Sequence, residues 1–166
     1  VPRVLTSCSS YTIINTRGTG EAQGPSAGFR TMNSNILSSK SGGKVYNTVY
    51  AADYSQNSAA GTADIVNKIT TTLRTSPNEC FILEGYSQGA AATVNALPKL
   101  TGTANTAVKG VWLIGDPLQT QDVCKYGDGV CDTTHGQGIN AQHLSYPNDA
   151  TVQSMGAKFV LGKLNA

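Results

Sequence analysis

The sequence predicts an α/β fold: one three-layer sandwich whose mostly parallel sheet of about five strands is covered by helices on both faces. Three observations predict it. Short β-rich runs alternate along the chain with segments whose apolar residues recur at helical spacing. Two of those runs, "ECFILEGY" and "VKGVWLIG", are apolar almost throughout, as strands buried on both faces are. With 166 residues and no internal repeat, linker or low-complexity tract, residues 1–166 are sized for a single domain around one core.

The elements follow in order. "YTIINT" (Tyr11–Thr16) reads as the first strand, and "RGTGEAQGPS" after it is dense in turn formers. From Ser26 to Lys40 the residues Phe29, Met32, Ile36 and Leu37 share a helical face, Gly42 and Gly43 stop it, and "KVYNTVY" is the next strand. Ser58 to Thr75 repeats the pattern with Ile65, Val66, Ile69 and Leu73, and Pro77 ends it. "ECFILEGY" follows as a buried strand, residues 88–97 as a helix of small residues, and Val108–Gly115 as another apolar strand. Asp116 to Pro147 is long and irregular, more loop than a compact domain carries without function. Asn148 is expected to cap a last helix whose buried stripe is Val152, Met155, Phe159 and Val160.

Composition narrows the classes. Charged residues make up 13% of the chain and the net charge is +2, too little for a nucleic-acid footprint. No apolar run approaches the roughly 20 residues that span a bilayer. The first ten residues, "VPRVLTSCSS", lack a signal-peptide core, so a secreted chain would be in its mature form. Four cysteines, Cys8, Cys80, Cys124 and Cys131, show no CxxC spacing, which argues for two disulfides in an oxidising compartment and against a metal site. Sequence permits three pairings. Cys124 and Cys131 flank a glycine-rich stretch, "CKYGDGVC", that a local bridge could close, leaving Cys8 with Cys80.

One motif carries chemistry. Gly85-Tyr86-Ser87-Gln88-Gly89 matches G-x-S-x-G and stands after a buried strand and at the start of a helix, the context that gives the pattern meaning. A serine on that sharp turn projects its hydroxyl above the strand ends, and small flanking residues let strand and helix close around it. Such a hydroxyl is a poor nucleophile until a base takes its proton, so a histidine and an orienting carboxylate are required. His135 and His143 both lie downstream in the irregular stretch, with Asp116, Asp122, Asp128 and Asp132 preceding at least one of them. Chain order suits the triad and leaves the identities open.

"RGTGE", "GYSQGA", "CKYGDGVC" and "HLSY" occur in the order and approximate places they hold in the cutinase family, which the chain resembles from about Cys8 to the last helix. The family comprises cutinases, cutinase-like polyesterases and the related acetyl xylan esterases. The chain is too short to add a helical lid to the sheet and its helices, so the site is expected to stand open. The resemblance implies an α/β-hydrolase-like sandwich with Ser87 as nucleophile, Asp128 as acid and His143 as base. It implies an oxyanion hole of Thr19 and the backbone N–H of Gln88, with Arg17 and Glu21 holding the loop and His135 and Asp132 as bystanders. It pairs the cysteines as Cys8–Cys80 and Cys124–Cys131, and Cys80 stands nearer the serine than in many relatives. Ile139, Ala141 and Leu144 flank the base as an apolar rim or as anchors of the loop.

These residues lead to the expectation of a secreted, monomeric serine esterase with no cofactor and no metal, acting on aliphatic polyesters such as cutin and on short soluble esters. The enzymatic alternative is an acetyl xylan esterase. A non-catalytic secreted protein on the same scaffold is disfavoured, because every catalytic position holds a competent residue.

Overall fold

The computed structural model describes residues 7–120 and 122–166; the rest of the first ten residues, whose composition was read above, lies outside them. Four strands, β1 (Tyr11–Thr16), β2 (Gly43–Asn47), β3 (Cys80–Tyr86) and β4 (Val108–Ile114), form one sheet in the order β2-β1-β3-β4. All three pairings are parallel. The helices are α1 (Arg30–Ser39), α2 (Ala59–Thr75), α3 (Gln88–Ala96), the short α4 (Thr103–Ala107) and α5 (Ala150–Leu164).

The strand register divides the side chains between two cores. Ile13 pairs with Ile82 and Ile14 with Leu83. Because successive side chains point to opposite faces, Ile13 and Ile82 join Met32, Ile36 and Val160 beneath α1 and α5. Ile14 and Leu83 join Ile65, Ile69 and Ala92 beneath α2 and α3. Each fully buried Ile or Leu contributes about 1.5–3 kcal/mol, so the central strands β1 and β3, buried at every residue, anchor both layers.

Several expectations shift. The described sheet has four strands, and where a fifth would lie only Val123 bridges Ile114, its N–H bonding Leu113 O and its carbonyl accepting from Gly115 N. Pro117, which has no N–H to donate, and loop hydrogen bonds to the Asp116 and Asp122 carboxylates take the chain away at once. The second strand stops at Asn47, since Tyr50 turns inward to donate its hydroxyl to Arg17 O. Ser26 caps a single 3-10 turn, and the first α-helix starts at Arg30, with Leu37 left 37% exposed. The cap of α5 is Asp149, whose carboxylate accepts from Val152 N, while Asn148 sits in the preceding 3-10 turn. The buried stripe of α5 runs through Val152, Gly156, Val160 and Leu164, the i,i+4 row. Met155 is 52% exposed on its flank, and Phe159 packs half-buried against Trp112. No described helix is long and apolar enough to cross a membrane.

Candidate active site

The site forms where β3 turns into α3. Ser87 has φ 57° and ψ −118°, a strained conformation for a residue with a Cβ. Its surroundings hold it there: Ser87 N donates to Ile114 O on β4, and its carbonyl accepts from Ala90 N and Ala91 N at the start of α3. The flanking glycines are steric requirements. A Cβ on Gly89 would lie 2.1 Å from Thr16 O, and one on Gly85 would lie 2.6 Å from Ala90 Cα. Only glycines let α3 start against the end of β1.

The irregular stretch after Asp116 delivers two histidine–aspartate pairs. In one, His143 Nδ1 lies 2.9 and 3.0 Å from the carboxylate oxygens of Asp128, with both side chains almost wholly buried. In the other, His135 Nδ1 lies 3.0 Å from Asp132, and the imidazole is 44% exposed and stacked on Tyr126. Of the two, only the first shares a cavity with the serine: Ser87, His143 and Thr19 line one cavity of about 160 Å³. Asp116 and Asp122 are spent on the loop, Asp116 accepting from Leu118 N and Thr120 and Asp122 from Asp116 N.

The buried pair is fixed from every side. Tyr146 donates its hydroxyl to Asp128 at 2.6 Å, and Val130 N donates to the other carboxylate oxygen at 2.9 Å. Burial pushes the Asp128 carboxyl up, but these donors and His143 outweigh it and hold it below the usual carboxylate range. His143 N donates to Asn140 Oδ1, and its carbonyl accepts from Tyr86 OH. Gly115 leaves room for the ring, since a Cβ there would lie 2.7 Å from His143 Cε1. In a neutral imidazole, an Nδ1–H directed at this carboxylate leaves Nε2 as the acceptor.

The first loop brings a hydroxyl donor. Thr19 Oγ1 accepts from two side-chain amides, Gln88 Nε2 at 3.1 Å and Gln56 Nε2 at 3.0 Å. Both lone pairs are engaged, and its own proton makes only a long, exposed contact to Gln56 Oε1 at 3.4 Å, which a stronger acceptor in the cavity can replace. Arg17 and Glu21 brace the loop: Arg17 donates to Glu21 O, Gln23 and the Tyr50 and Ala51 carbonyls. Glu21 accepts from Gly18 N, Ser26 Oγ and Ala27 N. Gln88 N opens α3 and lacks an intrahelical partner. Ile139 and Leu144 line the cavity at 45% and 58% exposure, so they form its rim and do not anchor the loop to a core; Ala141 is exposed.

Both cystines are present, Cys8–Cys80 with its Cα atoms 6.1 Å apart and Cys124–Cys131 at 6.0 Å. Cys124, Asp128 and Cys131 lie close enough to suggest metal ligands, but both sulfurs are in the disulfide and the carboxylate is occupied by His143 and Tyr146. Sequence reasoning missed Gln56 and Tyr146. Tyr146 stood within "HLSY" with no role assigned, and nothing in the sequence marked Gln56, which stands 37 residues from Thr19.

A parallel sheet presenting a serine at a strand-to-helix elbow, beside a buried histidine–aspartate pair, is the make-up of a carboxylic ester hydrolase of the α/β-hydrolase kind. The sequence model of the cutinase family matches residues 7–164, and the chain belongs to that family. A cutinase from Monilinia fructicola is 30% identical over 172 aligned residues, 93% of this chain and 85% of its own. The structure of a cutinase-like protein from Cryptococcus sp. superposes with a TM-score of 0.93 at 53% identity, covering 97% of this chain and 98% of its own. An acetylxylan esterase structure shares the fold, with a TM-score of 0.80 at 22% identity over 95% of this chain and 100% of its own.

Proposed function

We propose that residues 1–166 form one secreted catalytic domain that hydrolyses aliphatic polyesters such as cutin, and short soluble esters, through a Ser87–His143–Asp128 triad. The observation that carries this reading is the buried Asp128–His143 pair sharing a cavity with Ser87. His143 Nε2 takes the Ser87 proton as Oγ attacks the ester carbonyl. Asp128 holds the imidazole tautomer and stabilises the imidazolium that forms. The Thr19 hydroxyl and the Gln88 N–H donate to the oxyanion. Collapse of the tetrahedral intermediate passes the proton from His143 to the departing alcohol and leaves an acyl-Ser87. Water then attacks with His143 again as base, and the acid leaves as Ser87 regains its proton.

Exposed Ile139 and Leu144 at the mouth support an aliphatic substrate, because they offer apolar contact to a chain entering from solvent. The two disulfides support secretion. The test pairs labelling by an organophosphonate ester with a hydrolysis panel of butyrate esters, cutin and acetylated xylan. Labelling of Ser87 with release from cutin and butyrate is expected. Absence of labelling would remove the triad, and acetate release from xylan alone would turn the assignment to an acetyl xylan esterase.

A further inference from the structure

Glu84 stands three residues before Ser87 on β3, and its side chain is fully buried. The proposed chemistry does not use it. Its Oε2 accepts from Asn15 Nδ2 on β1 at 3.1 Å and from Asn33 Nδ2 on α1 at 2.9 Å. Its Oε1 has no hydrogen-bond partner among the described residues, and neither has Asn33 Oδ1, on the same amide that already bonds the carboxyl. As a carboxylate, Glu84 would be a buried charge with no counter-ion beside two unsatisfied acceptors. One proton removes all three costs: a carboxyl O–H can donate to the amide oxygen while the amide N–H donates to the other carboxyl oxygen.

We propose that Glu84 is held as a neutral carboxylic acid, its Oε1–H donating to Asn33 Oδ1, and that this acid–amide pair positions the loop carrying Thr19. A continuous path joins the two. Asn15 Oδ1, on the side chain that bonds Glu84, accepts from Ser26 N at 3.0 Å. Ser26 Oγ donates to Glu21 Oε2 at 2.9 Å, and that oxygen accepts from Gly18 N at 2.7 Å, one residue before Thr19. Glu84 thereby ties the nucleophile strand, the oxyanion loop and α1 together. It touches no substrate and acts through the loop.

Electrostatics agree with the geometry. Burial pushes the Glu84 carboxyl up from 4.5 to about 8, and the two amide donors oppose this only in part. No neighbouring element supplies a countercharge. Arg30 on α1, Lys158 and Lys163 on α5 and Lys109 on β4 are exposed. Tyr11 on β1 donates its hydroxyl to Lys40 O and Tyr86 on β3 to His143 O. Because the folded value lies above the unfolded one, the stability from this group is full below the ordinary carboxyl range. It declines as pH rises and is gone above about 8.

Glu84→Gln tests the pair, since its amide N–H2 can donate to Asn33 Oδ1 at any pH. The readouts are kcat and KM on a soluble butyrate ester and the thermal midpoint, each across the alkaline range. Wild-type kcat is expected to fall roughly tenfold between about pH 7 and about pH 9 with KM little changed, as a misplaced oxyanion donor demands. Glu84→Gln should hold its kcat and its midpoint over the same range. An alkaline fall in the variant equal to that of wild type overturns the proposal, and a wild type with a flat kcat overturns the positioning role. Should the variant not fold, the carboxyl carbon of 13C-glutamate in the wild type is followed by NMR: Glu84 is expected to be protonated at neutral pH, and an ionised Glu84 there overturns the proposal. The positioning role rests on Thr19 as oxyanion donor. The NMR titration and the midpoint do not, so loss of the Thr19 reading and loss of the acid–amide pair are told apart.

Discussion

His143 and His135 each hold an aspartate at about the same distance, and what separates them is water. The His143–Asp128 pair is buried and faces the cavity of Ser87, whereas the His135–Asp132 pair lies exposed against Tyr126. A histidine–carboxylate contact in solvent contributes little, while a buried hydrogen bond between the two fixes orientation. His143→Ala is therefore expected to abolish turnover in a folded protein and His135→Ala to leave most of it, as measured by kcat/KM on a soluble ester. The opposite outcome would exchange their roles. Thr19 poses a similar test. Losing one oxyanion donor costs roughly 10² to 10³ in rate, about 2.7 to 4 kcal/mol, so Thr19→Ala should lower kcat and spare KM. Gln56→Ala, which removes one of the two amides orienting that hydroxyl, should lower kcat in the same sense and by less. A change confined to KM would make Thr19 a binding residue.

At the scale of elements, the segment from Cys124 to Cys131 is both a staple and a holder. Closing its eight residues contributes about 2.5 kcal/mol by chain entropy. The ring also aims the Asp128 carboxylate: Val130 N and Cys131 N both point at Asp128 Oδ1, and Asp128 N bonds Lys125 O across the ring. Lys125 in turn pairs with Asp149 at 2.7 Å, joining the ring to the cap of α5. Cys124→Ser/Cys131→Ser is expected to lose activity at temperatures where circular dichroism still reports a native fold. Loss of activity and of folded signal in parallel would reduce the bridge to a staple.

At the scale of the whole molecule, the proposed function makes the small cavity, with exposed Ile139 and Leu144 at its mouth, the point of substrate access. The expectation that the site stands open without a lid predicts no jump in rate as substrate passes its solubility limit. Acyl preference then follows from contact, each buried methylene contributing about 0.8 kcal/mol. Butyrate esters should exceed acetate esters in kcat/KM, and Leu144→Ser should narrow the gap. A steep preference for acetate would contradict an aliphatic pocket.

What the sequence by itself determined is what neighbouring residues decide. The elbow at Ser87 was legible because strand, glycines and helix are contiguous, and the small cystine because its ends are seven residues apart. The layered fold was legible because parallel strands buried on two faces leave apolar runs. Ambiguity entered where groups distant in sequence compete: two histidines follow several aspartates, and only packing excludes water from one pair. Gln56 and Glu84 gave no signal, because one is a loop amide that reaches Thr19 across 37 residues and the other reads as one polar residue in an apolar strand. The flank of α5 was misread for the same reason, since periodicity marks an apolar face without saying how far the neighbouring elements cover it. Tertiary structure alone decided these points: burial and hydrogen-bond partnership are properties of a closed surface, and local sequence does not carry them.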